Sequence, residues 1–203
     1  MISVIIPTLW KPQIMKDGTL LSKLSNHHLV GEIIIIDNSV SYPLDETNGK
    51  IRKISYGENI YVNPSWNVGV ELAKYEKLLI LNDDVETDLY IIDLVYEHIT
   101  EDKGIIGAGV SCWQYKGGMP AINYIPSREA CYGCVMFIHK NSYNMIPEDI
   151  KIWHGDDWLF LKSGKANYEI TNWKMWGESQ QTSGLPEFNE IKENDSKTYN
   201  SLK

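Results

Sequence analysis

Basic residues are in short supply. The chain has 19 Lys and Arg against 27 Asp and Glu, a formal net charge of −8. That deficit argues against a nucleic-acid binder, which displays a basic face to phosphates, and against docking on anionic lipid. It leaves room for a phosphate-bearing substrate, because a bound cation inverts the local field. Long apolar runs are also missing, with no stretch near the roughly 20 residues that span a bilayer, so no transmembrane segment is expected. The opening MISVIIPTLW is apolar but short, without a basic segment or a small-residue cleavage site. It reads as a first strand and not as a leader. Cysteine is scarce: Cys112, Cys131 and Cys134. So few, in odd number, suit a reducing compartment and predict a cytoplasmic protein.

What is present suffices for one domain. A chain of 203 residues, 43% of them hydrophobic, can bury a core without disulfides or a structural metal. Residues 2–6 (ISVII), 32–37 (EIIIID) and 77–81 (KLLIL) are almost continuously apolar, as strands of a parallel sheet covered on both faces are. Residues 51–55 (IRKIS) form a weaker strand nearer an edge, and 104–110 (GIIGAGV) a further one. Helical spacing falls between them, at 19–25, at 64–75 with Asn63 as N-cap and Pro64 at the first helical position, and at 88–98 from an Asp88 cap. The alternation predicts an α/β domain with a mainly parallel sheet flanked by helices. The second half is less regular, with a long Gly- and Pro-containing loop at 111–128, a strand at 132–138, a short helix at 156–164 and a last strand at 168–175. From 176 on the chain is polar and reads as a mobile or substrate-ordered tail.

Ligands of open α/β sheets bind beyond the carboxyl ends of the strands. That rule selects Pro7, Thr8 and Leu9 after the first strand, Asp37, Asn38 and Ser39 after the second, and Asn82, Asp83 and Asp84 after the strand at 77–81. Asp83 and Asp84 have two readings: a solvated turn, or a carboxylate pair whose repulsion a hard divalent cation relieves. Asp37 either caps the next element or accepts a hydrogen bond from a base or ribose edge. Asp156 and Asp157, in HGDDW, either cap a helix start or supply a general base. Cys131 and Cys134 form a C-x-x-C that runs into a strand, which suits packing better than zinc or redox chemistry. His27, His28 and His98 carry no signal. Seven tryptophans fit core filling as well as stacking on sugars or bases.

Six segments, in order, resemble the family-2 type of GT-A glycosyltransferases: ISVIIPT, EIIIIDNS, NPSWNVGVELAK, LLILNDDVE, YGCVMFIHK and HGDDWLFLKSGK. The resemblance covers about residues 1–175. It implies a single GT-A (Rossmann-like) domain, with a nucleotide-binding half at about 1–110, an acceptor half at about 111–175, and 176–203 as a C-terminal tail or lid. It implies metal-dependent, inverting transfer of a sugar from a nucleotide-diphosphate donor, UDP-linked, to a hydroxyl acceptor such as a glycan. Pro7, Thr8, Asp37, Asn67 and Asp83 would bind the nucleotide. Asp84, with Asp83, would hold Mn²⁺ or Mg²⁺. Asp157, beside Asp156, would be the catalytic base. Two departures stand out. Asn82 replaces the first acid of the family's Asp-x-Asp, and no histidine follows Met175, where Glu178 is the available substitute. The alternatives are a nucleotidyltransferase of similar fold, against which the missing Gly-rich loop after the first strand speaks, and a non-catalytic sugar-binding protein.

Overall fold

The structure, a computed structural model, describes residues 1–39, 42–43, 48–177 and 185–203. The strands are β1 (Ile2–Thr8), β2 (Val30–Asp37), β3 (Ile51–Ser55), β4 (Lys77–Leu81), β5 (Val85–Thr87), β6 (Lys103–Ala108), β7 (Ala121–Ile125), β8 (Val135–His139), β9 (Ala166–Thr171) and β10 (Met175–Gly177). The helices are α1 (Gln13–Lys16), α2 (Thr19–Asn26), α3 (Val62–Leu72), α4 (Ile91–Tyr96), α5 (Val110–Trp113), α6 (Gly155–Lys162) and α7 (Asn189–Leu202). Eight strands make one sheet in the order β3-β2-β1-β4-β8-β6-β9-β7, and β5 and β10 form a separate antiparallel ribbon. The sheet is mainly parallel. Only β8 against β4 and β6, and β7 against β9, run antiparallel.

The continuous apolar strands are buried on both faces, as their composition requires. Val4, Ile6, Ile33, Ile35 and Leu79 point to one side, against Leu20, Leu21 and Leu24 of α2 and Ile91, Ile92 and Val95 of α4. Ile5, Ile34, Ile36, Leu78 and Ile80 point to the other, against Trp66 and Val70 of α3 and Leu159 of α6. Gly69 lets α3 lie close on the sheet: a Cβ there would come 2.3 Å from Ile5 Cγ2. No helix among the described residues is long and apolar enough to cross a membrane.

Several elements differ from the sequence expectation. Helix α3 starts at Val62, so Asn63 lies inside its first turn instead of capping it. Its Nδ2 donates to the Trp153 carbonyl at 3.1 Å. The span 88–98 forms only a short helix, α4. Asp88 bonds the Tyr90 N–H, outside the helix. The loop expected at 111–128 contains α5's end and the edge strand β7. Tyr132–Cys134 is a 3-10 turn and not strand. The polar region from 176 on forms the end of β10 and, from Asn189, a 14-residue helix docked on the domain.

Candidate active site

The carboxyl ends of β1, β2 and β4 share one rim with the turn that enters β8 and with the start of α6, around a cavity of about 600 Å³. Because β8 runs against β4, its first residue, Val135, pairs with Leu81, the last residue of β4. The Cys134 carbonyl accepts the Asn82 N–H at 2.9 Å. Pro7, Thr8, Asn82, Asp83 and Asp84, at the ends of β1 and β4, line the cavity. So do Arg128, Gly133, His154, Asp156 and Asp157, and Tyr61, Trp66, Trp153 and Phe188 add an aromatic lining.

Thr8 fixes the first of these groups. Its hydroxyl donates to Asp83 Oδ2 at 2.6 Å and accepts the Trp10 N–H at 2.8 Å. Burial pushes the Asp83 carboxyl up to about 7, against the Thr8 hydrogen bond, and the neighbouring Asp84 charge adds to the rise. A buried carboxyl beside a second one, with an ionised form so disfavoured, is the donor set a hard divalent cation stabilises. Asp83 and Asp84 therefore fit Mg²⁺ or Mn²⁺.

The second group is built around the start of α6. Arg128 Nη1 lies 3.0 Å from Asp156 Oδ2, and its Nε donates to Asp157 Oδ1. Burial raises the Asp156 carboxyl and Arg128 opposes that rise. His154 Nδ1 is 2.9 Å from Asp157 Oδ2. Gly155 is needed for this approach, since a Cβ would sit 2.1 Å from Asn63 Oδ1 and 2.9 Å from the Trp66 ring. Helix α7 supports the loop from behind. Asp195, 1% exposed, accepts the backbone N–H groups of Lys151, Ile152 and Trp153 at 2.9, 2.7 and 2.8 Å.

Of the residues selected from sequence, Pro7, Thr8, Asp83, Asp84, Asp156 and Asp157 all line the cavity. Asp37 and Asn67 point elsewhere. The Asp37 carboxylate is taken by the Ser39 N–H and hydroxyl and by Lys53, 3.7 Å away, while the next residue, Asn38, reaches the cavity. Asn67 is spent on Ile146 and the Tyr143 hydroxyl. Glu178 lies outside the described residues, although β10 brings Gly177 beside Val85 and the Asp84 carbonyl. Arg128, His154 and α7 are the parts that sequence reasoning missed as site residues. Arg128 is a lone cation in a loop and leaves no local signal. His154 was visible only as the neighbour of the acid pair.

The three cysteines are free thiols. Burial pushes Cys134 up to about 12, so it is packed and not poised for redox work. Away from the cavity, His27, His28 and Asp93 cluster. There His27 Nδ1 accepts the Leu29 N–H at 3.3 Å and Nε2 meets Asp93 at 2.9 Å, an arrangement satisfied without an ion.

No protein-family model matches the sequence, and no curated protein matches it. Solved structures do. The crystal structure of S. aureus TarS 1–349 aligns with a TM-score of 0.56 and 16% identity, over 86% of this chain and 59% of that one. The same TarS segment in complex with UDP aligns with a TM-score of 0.59 at the same identity and coverage. The two share a fold, and this chain spans 59% of the TarS segment's length.

Proposed function

We propose that the chain is a metal-dependent glycosyltransferase of the GT-A type, which moves a sugar from a nucleotide-diphosphate donor, UDP-linked, to an acceptor hydroxyl with inversion. The observation that carries this reading is the convergence of two acid pairs, Asp83–Asp84 and Asp156–Asp157, on one cavity at the sheet's carboxyl rim. The fold shared with TarS, one structure of which holds UDP, supports it.

In this reading Pro7, Thr8 and Asn38 flank the nucleoside. Asp84 and Asp83 hold Mn²⁺ or Mg²⁺, which when bound supplies Lewis-acid neutralisation of the diphosphate. Asp157 takes the proton of the acceptor hydroxyl as that oxygen attacks the anomeric carbon. Arg128 fixes the Asp157 carboxylate by holding Oδ1, and spans to Asp156. Asp37 acts indirectly, by shaping the turn that presents Asn38. The aromatic wall excludes water from the reacting end.

The test is a panel of nucleotide sugars, with and without Mn²⁺, read by release of nucleoside diphosphate and by thermal shift. Asp157→Asn is expected to lower transfer by roughly 10²- to 10⁴-fold, the usual worth of a general base, with UDP affinity nearly intact. Unchanged turnover removes Asp157 from the role. Asp84→Ala is expected to abolish the Mn²⁺ response of UDP binding in calorimetry. Binding of nucleotide sugars without any turnover would instead favour the non-catalytic sugar-binding alternative.

A further inference from the structure

Tyr61 stands in a backbone conformation that tyrosine does not favour. Among the described residues, three that line the cavity have positive φ without being glycine: Tyr61, Cys131 and His154. Cys131 and His154 share φ 62° and ψ 8°, the left-handed region that side chains visit in turns. Tyr61 has φ 67° and ψ 172°, a combination adopted almost only by glycine. Its turn is held from several directions. The Tyr61 N–H donates to Asn59 Oδ1 at 2.8 Å. The Tyr61 carbonyl accepts the Ser65 N–H at 3.1 Å and the Ser65 hydroxyl at 2.5 Å. Asn38 ties in both neighbours: Oδ1 accepts the Ile60 N–H and Nδ2 donates to Ser65 Oγ, each at 3.0 Å. Asn38 and Ser65 are both buried.

Strain of this kind persists only where the surroundings over-determine it, and it gathers at active sites and ligand clamps. Glycine would hold the same turn at no steric cost, so the turn alone does not call for a tyrosine. Within the fold the ring does little. It is half-buried, meets Phe188 edge-on with centroids 6.4 Å apart, and has Lys151 Nζ 5.3 Å from its centroid. Its hydroxyl has no hydrogen-bond partner among the described residues. What the ring does is line the cavity. We propose that Tyr61 is the platform on which the nucleobase of the donor stacks, held in place by the strained turn. The inference rests on the reading of the cavity as a nucleotide-sugar site. Stacking on an aromatic face suits a planar base whatever its edges bond.

The connections of the turn favour the base over the acceptor as occupant. Asn38 directly follows β2 and bonds Ile60, the residue before Tyr61. The Asn38 N–H donates to the Thr8 carbonyl at 2.8 Å, and the Thr8 hydroxyl donates to Asp83. A line of direct contacts therefore runs from the Tyr61 turn through Asn38 and Thr8 to the acid pair read as the metal site. Base, ribose and diphosphate follow one another in the same order along a nucleotide. The other exposed ring of the cavity, Trp153, directly precedes His154 and the start of α6, beside Asp157. It belongs with the acceptor end.

Two measurements on the full chain test this. The first is calorimetry with UDP and Mg²⁺. Tyr61→Gly suits the backbone as it stands, so the variant is expected to unfold cooperatively within a few degrees of wild type. Its Kd for UDP is expected to rise roughly 5- to 100-fold, the worth of one stacked base. Tyr61→Phe keeps the ring and is expected to bind UDP as wild type does. Inorganic pyrophosphate with Mg²⁺ carries no base and is expected to behave alike toward wild type and Tyr61→Gly. An unchanged Kd for UDP in Tyr61→Gly overturns the platform, and so does an equal loss for pyrophosphate. The second measurement needs no substitution and stands if Tyr61→Gly fails to fold. In NMR of the wild-type protein with UDP and Mg²⁺, cross-relaxation is expected between the uracil ring protons and the Tyr61 ring. Cross-relaxation to other rings only, Trp153 included, overturns the assignment. A wild-type chain that binds no nucleoside diphosphate fails the nucleotide-sugar reading and the platform with it. UDP binding that ignores Tyr61 fails the platform alone.

Discussion

Asp83 sets a pH dependence of its own. Burial lifts its folded carboxyl from an ordinary 3.8 to about 7. In the metal-free protein the native state therefore holds a proton, between those limits, that the unfolded chain has released. The stability it contributes is complete below about 3.8 and is lost as pH rises to about 7. Asp83→Asn, which still accepts from Thr8, is expected to raise Tm at pH 8 in EDTA, with the gain shrinking toward pH 4; equal gains at both pH values would contradict the burial argument. Gly155→Ala is expected to cost about 1–3 kcal/mol of stability by chemical denaturation, because its Cβ collides with Asn63 Oδ1 and the Trp66 ring. The acid pairs were legible in the sequence because adjacent carboxylates after an apolar strand or before a helix are unusual chemistry. Arg128 was not, because its partners are 28 and 29 residues away.

Among the elements, α7 shows where periodicity loses its hold. Helices that dock through an apolar stripe announce themselves. This one buries Asp195 along its length, with Phe188 just before its start. Its attachment is a carboxylate accepting three backbone N–H groups, a form of docking that a hydrophobic pattern does not record. Asp195→Ala is expected to destabilise the protein by about 3 kcal/mol, since a buried set of donors loses its charged acceptor. Hydrogen exchange should quicken first at 151–153, and unchanged exchange there would place the helix's anchor elsewhere. Strand β7 was missed for a related reason. It is an edge strand with Asn123 and Tyr124 exposed, and it follows a segment with Gly117, Gly118 and Pro120 that reads as loop.

At the scale of the whole molecule, the parallel core was readable because strands buried on both faces must be apolar throughout. The reversal at β8 was not, because VMFIH has the same composition in either direction. The negative charge gains a location: Asp83, Asp84, Asp156 and Asp157 are gathered at one cavity, while Asp37 turns away from it. A cavity lined this way repels a bare diphosphate. Mn²⁺ and UDP together are therefore expected to raise Tm by more than the sum of their separate effects in differential scanning fluorimetry. Simple additivity would argue against a bridging cation. Strand β8 has one more consequence. By joining β4 to β6 with ladder bonds on both sides, it weaves the two halves of the sheet into a single fabric with no seam. A sheet without such a break does not divide into two lobes, and the residues that line the cavity all stand on one continuous platform.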